Sequence, residues 1–289
     1  MLFRSLAGKD RKTQLAAVNE FMNRASYIED LPNWGVPDYW ATPLQFLTKD
    51  GDCEDYAIAK FVSLRTLGFT NDELRIAVVD DADAVIDAAD AVYVCTWTAA
   101  HPELVGRVAA AGRAVFCEKP LATTEAVARA MVGTVEAAGV VNQVGLVLRS
   151  VPGFALVRAM LRRPESGRLS TVVFRDDQDI PVGNVSGSTW RADRDKAGAG
   201  TLLEHSIHDV DLLRWLLGDP QRVSATVAER FGYAGIDDVA AVSFAFPDGV
   251  SAQLTSVWHQ VTARESSRRL EVFCEDALLW TEEIGRAHV

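Results

Sequence analysis

The chain has 289 residues, 48% hydrophobic and 24% charged, and its 40 acidic against 29 basic residues leave a formal charge of −11. This balance supplies a full core and predicts two domains of roughly 100–200 residues each, while the negative field argues against nucleic-acid and anionic-membrane partners. Cys53, Cys95, Cys117 and Cys274 are too scattered for a disulfide framework or zinc site, and a mean hydropathy of +0.04 without a long apolar run excludes a membrane span.

The opening MLFRSLAGKDRKTQLAAVNEF turns polar by Lys9 and has no secretory core, so a cytoplasmic, mixed α/β protein is expected. Leu15, Val18, Phe21 and Met22 recur at helical spacing and predict an amphipathic helix over 12–24. Three prolines and two tryptophans in 31–48 predict an irregular packed loop. A second helix is expected from Cys53 to Leu67, closed by Gly68 in a left-handed conformation, and then a short strand over 74–79.

From Ala82 the pattern becomes an Ala/Val-rich strand–helix alternation. Strands are predicted over 91–96, 114–117 and 140–148, the first buried on both faces, with helices over 101–111 and 123–138 between them. Such a βαβαβ order specifies a parallel sheet with right-handed crossovers. Beyond Leu169, alternating runs at 171–174, 223–228, 239–246, 250–257 and 270–273 predict a largely antiparallel sheet. A single helix, 200–217, is expected after a flexible glycine pair, Gly198 and Gly200.

Cys53 opens a predicted helix, where unpaired N–H groups and the helix dipole favour a thiolate, the nucleophilic form. Trp34-Gly35, Asp38-Tyr-Trp-Ala-Thr-Pro43, Gly51-Asp-Cys-Glu-Asp-Tyr56 and Leu64-Arg-x-Leu-Gly68 together resemble the bacterial transglutaminase-like cysteine proteinases, over about residues 15–79. The resemblance implies Cys53 as nucleophile and Asp52 and Glu54 as calcium ligands; helix-start charge stabilisation is the alternative for the two acids. A thiolate needs an oriented base, and the first histidine after Cys53 is His101, which lies in the strand–helix alternation. Proteolysis is therefore not expected.

The third motif is Glu118-Lys119-Pro120 at the end of a buried strand, where open α/β sheets bind their ligands. A lysine there can donate to a substrate oxygen. Downstream, Glu204 and His208 are four apart and would share one face of a continuous helix, a carboxylate beside an imidazole suited to taking a hydroxyl proton. His205 falls on another side and reads as structural, while Asp211 would pair with Arg214 or face solvent.

Tyr93-Val-Cys-Thr96 with His101, Cys117-Glu-Lys-Pro-Leu-Ala122, Val144-Gly145 with Arg149 and Pro152, Trp190-Arg191 and Glu204-His-Ser-Ile-His-Asp-Val-Asp211 resemble the Gfo/Idh/MocA oxidoreductases, over about residues 82–282. The resemblance implies a Rossmann domain followed by an α/β domain whose open sheet carries the substrate and subunit surfaces. It also implies NAD or NADP as cofactor, a sugar, inositol or related polyol as substrate, and a homo-oligomer. Lys119, Glu204 and His208 would form the catalytic cluster, Glu204 standing where aspartate is more usual. Thr96, Trp97, His101, Glu118 and Lys119 would line the nicotinamide side, and Trp190, Arg191, Trp258 and His259 the substrate side.

No G-x-G-x-x-G occurs anywhere in the chain, nor the acidic residue about 20 positions later that holds a ribose. The expected fold is thus α/β, a partial Rossmann-type parallel sheet followed by an α/β domain with a mainly antiparallel sheet. A helical transglutaminase-like fragment precedes it. The boundaries read as 1–79, 80–150, 151–282 and a tail, 283–289. Two half-sites of unrelated chemistry meeting near 79–83 predict a chimera. The tail Glu-Ile-Gly-Arg-Ala-His-Val matches in frame the translation of a common sequencing adapter and reads as an artefact. The competing functions are therefore an incomplete, inactive oxidoreductase, a calcium-dependent cysteine proteinase fragment, and a non-catalytic binding module.

Overall fold

The computed structural model describes residues 4–25, 28, 30–36, 39–51, 53–74, 81–182, 189–261 and 266–285. The chain divides into two compact units, one of residues 1–80 with 181–187 and 288–289, the other of residues 81–180 and 188–287. No helix among the described residues is long and apolar enough to cross a membrane.

In the first unit, α1 (Arg11–Met22) begins at Asp10, whose Oδ1 accepts from Thr13 N at 3.0 Å. Its Val18 and Met22, four apart, meet Phe46, Ala59, Leu64 and Phe69 in one cluster. The stretch predicted as irregular carries two helices, α2 (Asp30–Trp34) and α3 (Pro43–Lys49). Pro43 stands at the start of α3, and Thr42 with Gln45 forms a reciprocal capping box, so the proline that reads as a breaker is an initiator. Phe46 then anchors that helix in the core. α4 (Cys53–Thr66) follows as predicted, and Gly68 takes φ +91° beyond its end. Of the strand expected over 74–79, residues 75–79 lie outside the described residues.

The second unit opens with α5 (Ala82–Ala88), a helix the periodicity did not mark, capped by Asp81. Then come β1 (Ala91–Val94), α6 (His101–Ala110), β2 (Ala114–Cys117), α7 (Glu125–Ala138) and β3 (Asn142–Val144), a parallel sheet in the order β1-β2-β3. Val94, Val115 and Cys117 point to one face, where Val105, Val108, Met131 and Val135 of α6 and α7 cover them. That one-sided cover corrects the expectation for β1. Tyr93 faces the other way, is 71% exposed and stacks on Phe116 of β2 at 4.9 Å between ring centroids. β3 spans three residues rather than nine, because the chain turns into a 3-10 helix at Val147–Ser150.

After α8 (Pro152–Leu161) and β4 (Leu169–Asp179) come three helices, α9 (Arg194–Ala197), α10 (Thr201–Glu204) and α11 (Ile207–Leu217). The strands β5 (Arg222–Ala228), β6 (Val239–Ala245), β7 (Ser251–His259), β8 (Ser266–Cys274) and β9 (Leu278–Gly285) complete a sheet in the order β5-β6-β7-β4-β8-β9. Only β4–β7 is parallel. Alternation sends Val172, Phe174, Leu254, Leu270 and Val272 inward, against Phe154 and Val157 of α8 and Leu212 and Leu213 of α11. The backbone of 283–285, read from sequence as part of the tail, continues the β8–β9 ladder.

The expected single helix over 200–217 is broken at His205–Ser206. Ser206 Oγ bonds Asp176 Oδ2 at 3.2 Å and Ser256 Oγ at 2.6 Å, drawing the turn down onto the sheet. The glycines ahead of it are fixed by close approach. A Cβ on Gly200 would lie 1.8 Å from Asp237 O, and one on Gly198 2.8 Å from Thr123 Cα. Asp237 receives N–H groups from Gly200, Thr201 and Leu202 at 2.8, 2.6 and 3.0 Å, capping α10.

Gly200→Ala is therefore expected to cost at least about 2 kcal/mol, the scale of an overpacked core. Gly133→Ala is expected to gain about 0.5–1 kcal/mol, since Gly133 lies inside α7 with open space at its Cβ. Urea unfolding of both variants checks the pair.

Candidate active site

β2 ends in Cys117, and the next three residues build the first wall of the site. His101, 1% exposed, has Nδ1 at 2.8 Å from Pro120 O and Nε2 at 3.0 Å from Thr96 O. Both ring nitrogens are thus engaged by the backbone, tying the turn after β1 to the turn after β2. Glu118 Oε2 accepts from Lys119 N at 3.1 Å, and a Cβ on Gly145 would come within 2.7 Å of that oxygen. Glycine after β3 is what admits the carboxylate. Thr96 and Trp97 are exposed beside this edge, and Lys196 Nζ lies 5.7 Å from the centre of the Trp97 ring.

Lys119 reaches across to the end of α10, its Nζ donating to Glu204 O at 2.6 Å and to Glu204 Oε1 at 3.4 Å. Arg191, from a 3-10 turn at Trp190–Ala192, donates Nε to the same Oε1 at 3.1 Å, and its guanidinium covers the Trp190 ring at 4.5 Å. Glu204 is 4% exposed. Burial acts to raise its pKa, but Lys119, Arg191 and His205 outweigh it and hold the carboxyl down at about 2. Glu204 is ionised.

His208 lies in the first turn of the next helix, α11, so the premise of one shared helical face fails; the break at His205–Ser206 separates the two residues. Its Nδ1 is buried with no hydrogen-bond partner among the described residues. Burial, then the positive charges of Lys119, Arg268 and His205, push its pKa down to about 3, with Glu204 alone opposing. The imidazole is neutral at pH 7, and burial and the neighbouring cations oppose its protonation.

Beneath the cluster lies a buried polar layer that sequence reasoning missed. His205 Nε2 is 3.0 Å from Asp176 Oδ2, and Arg268 donates Nη2 to that oxygen at 3.2 Å and Nε to Asp209 Oδ1 at 2.7 Å. Burial opposes ionisation of Asp176, yet His205 and Arg268 hold it well below the usual carboxylate range. Asp209 goes the other way. Burial, reinforced by the neighbouring Asp176, lifts it well above that range despite Arg268. One proton thus serves two adjacent carboxyls. The signal in the sequence was Asp176 at a core-facing position of β4, which alternation alone assigns to an apolar side chain.

Asp211 pairs with Arg149 through bonds of 2.7 and 2.5 Å, and Arg214 with Asp219 instead, correcting the expected Asp211–Arg214 pair. Trp258 is 1% exposed and belongs to the interior. His259 follows it on β7 and so points to the opposite face from Ser256 and the buried layer; its Nε2 lies 3.6 Å from Asp177 Oδ1. Of the substrate-side expectations, the structure brings only Arg191, with Trp190 stacked on it, to Lys119 and Glu204. In the first unit Cys53 begins α4, while Asp52 and the Cys53 side chain lie outside the described residues. No group of three or more potential metal ligands, Glu54 included, comes together among the described residues.

Comparison with known proteins matches residues 53–146 to the oxidoreductase family with an NAD-binding Rossmann fold, and residues 154–279 to the GFO/IDH/MocA C-terminal domain. A weaker match to the bacterial transglutaminase-like cysteine proteinases covers residues 3–95 and overlaps the first of these. The 1,5-anhydro-D-fructose reductase of Ensifer adhaerens is 35% identical over 171 residues, 57% of this chain and 49% of that protein. The inositol 2-dehydrogenase of Rhizobium meliloti (strain 1021) is 32% identical over 189 residues, 63% of this chain and 54% of that protein. The chain thus spans about half the length of these curated relatives. Among solved structures, a putative myo-inositol dehydrogenase from Sinorhizobium meliloti 1021 superposes with a TM-score of 0.59 at 29% identity, covering 68% of this chain and 60% of that one. The chain carries Gfo/Idh/MocA oxidoreductase domains, an NAD-binding Rossmann-type domain and the C-terminal domain that follows it.

Proposed function

We propose that residues 81–285 form the catalytic and substrate side of an NAD(P)-linked oxidoreductase acting on a sugar, inositol or related polyol. The observation that carries this reading is the Lys119–Glu204 contact, which closes the end of β2 against α10 with Arg191 beside it. The cofactor fits in part. Thr96, Trp97, Glu118 and Lys119 stand at the carboxyl ends of β1 and β2, where a nicotinamide is received, but no glycine-rich turn exists for the pyrophosphate.

When bound, the cofactor supplies the hydride acceptor. The chain's own residues manage the substrate oxygen. Lys119 donates a hydrogen bond to the hydroxyl that becomes a carbonyl. His208 is the acceptor that the resemblance implies for its proton, a weak base while Lys119 and Arg268 stay charged beside it, and ionised Glu204 keeps the Lys119 ammonium in place. Without a pyrophosphate cradle this chain by itself is expected to be inactive.

A second reading concerns the first unit alone, a fragment of cysteine-proteinase type with Cys53 as nucleophile and Asp52 and Glu54 as candidate calcium ligands. The start of α4 at Cys53 supports it, since a helix N-terminus favours the thiolate. On this reading the chain joins two unrelated halves near 79–83, and long-read sequencing of source DNA across codons 70–95 is expected to break there. Iodoacetamide labelling is expected to mark Cys53 at pH 6 faster than Cys274, whose thiol burial pushes up. Equal rates at the two cysteines would remove the second reading.

Titration of the full chain with NADH, followed by nicotinamide fluorescence, is expected to show no saturation below about 1 mM, and no turnover of myo-inositol with NAD or NADP. Micromolar binding with turnover would show that the glycine loop is dispensable here. Polyol binding without any cofactor response would favour a non-catalytic binding module.

His208 also sets a pH dependence. Between about 3 and its ordinary 6.5 the unfolded chain binds a proton there that the folded chain does not, so stability rises with pH through that window. It is complete above 6.5 and lost as pH falls toward 3. The slope from this group reaches at most about 1.4 kcal/mol per pH unit. Urea unfolding at pH 4.5 and 7 is expected to show a smaller difference for His208→Gln than for the parent. An unchanged difference would mean that His208 is protonated in the folded state.

A further inference from the structure

Within the Lys119–Glu204 cluster most of the hydrogen-bonding capacity of Arg191 is unused among the described residues. Its side chain is 13% exposed, its Nε is engaged by Glu204, and its Cζ lies over the Trp190 ring at 4.5 Å. Neither Nη1 nor Nη2 has a partner among the described residues, and neither is sealed from solvent. Other arginines around the site are differently placed. Arg268 bridges Asp209 and Asp176, and Arg149 forms a two-pronged pair with Asp211. A guanidinium this far withdrawn from water, anchored at Nε and over an indole, with its forked end open, is a recognition group for an acceptor.

Charge indicates which acceptor. Lys119 and Arg191 bring two positive charges to one carboxylate, Glu204. His208 adds none, because burial and its cationic neighbours keep it neutral. The layer below turns inward: Arg268 and His205 are taken up by Asp176 and Asp209. The two cations thus outnumber the one carboxylate they share. A neutral hydroxyl offers lone pairs but no charge to offset this excess. A carboxylate offers two coplanar oxygens that match the two free nitrogens.

We propose that the free end of Arg191 reads a carboxylate on the substrate, so that the site takes a sugar acid, a uronate or aldonate, in preference to a neutral polyol. This rests on the reading above that the site binds a sugar-type molecule, and it adds the anionic group. Lys119 and His208 then meet a hydroxyl of the same molecule, while Arg191 fixes its orientation.

Isothermal titration of the full chain tests the assignment with D-glucuronate against D-glucose, and D-galacturonate against D-galactose. At low salt at least one acid is expected to bind at least about tenfold more tightly than its neutral counterpart, the scale of one hydrogen bond between charged groups. The ratio is expected to shrink as salt is raised. Arg191→Gln is expected to bring it to near one. Arg191→Lys, which keeps the charge and loses the fork, is expected to restore only part, and circular dichroism confirms that both variants fold.

A ratio near one in the parent, or a ratio that survives Arg191→Gln, would overturn the carboxylate assignment while leaving the sugar site standing. Tighter binding of glucose 6-phosphate than of either acid, abolished in Arg191→Gln, would replace carboxylate by phosphate and overturn the proposal as stated. Binding of neither acid nor neutral sugar would remove the sugar-site reading together with this one. If Arg191→Gln does not fold, the parent salt dependence and the Arg191→Lys ratio still decide. A preference insensitive to both would overturn it.

Discussion

An ionised carboxylate kept almost out of water, between a lysine and an arginine, is the constraint on which the second unit's site depends. Withdrawing such a charge costs several kcal/mol unless its partners are in place. Glu204 has Lys119 from 85 residues upstream and Arg191 from 13 residues upstream. The turn after β2, the 3-10 turn at Trp190 and the end of α10 must therefore assemble together. Asp237 holds the start of α10 by three N–H groups, and Gly200 permits that approach. The position of the carboxylate is thus fixed from both ends of a four-residue helix.

The buried layer under α10 and α11 extends the same logic. Ser206 and His205 are held to Asp176, and Asp209 shares Arg268 with it. Had both carboxyls ionised, two adjacent negative charges would stand side by side out of water. Retention of a proton on Asp209 avoids this. These contacts break what would have been one helix into two, and His208 lies in the first turn of the second with its imidazole uncharged. Acid–base character at His208 is consequently a property of the surrounding cations and of burial, and not of the imidazole itself.

Much of the fold was legible because its signals are local. α1 and α4 follow apolar spacing with clear ends, α6 and α7 are closed by Gly112 and Gly139 at φ +68° and +65°, and the strands of the large sheet alternate cleanly. The misses have physical causes. Pro43 and Thr42 look like loop residues until the capping box is considered, and α5 is too short for periodicity to register. β1 reads as doubly buried because Tyr93 is apolar, yet α6 and α7 cover one face alone. Asp211 was offered Arg214 by proximity in sequence, whereas Arg149, 62 residues away, is the partner that space supplies.

By itself the sequence determined the strand–helix order, the lysine after a buried strand, the downstream Glu204 and His208, and the absence of a glycine-rich phosphate turn. Those follow from residue identity and near-neighbour spacing. Only the tertiary structure decided that Glu204 lies between Lys119 and Arg191, that Trp258 is interior and His259 on the opposite sheet face, and that Arg191 keeps a free forked end. Such outcomes depend on which distant segments meet and on how much water they exclude. Charge, protonation and open hydrogen-bonding capacity are set by that burial, and no spacing along the chain encodes it.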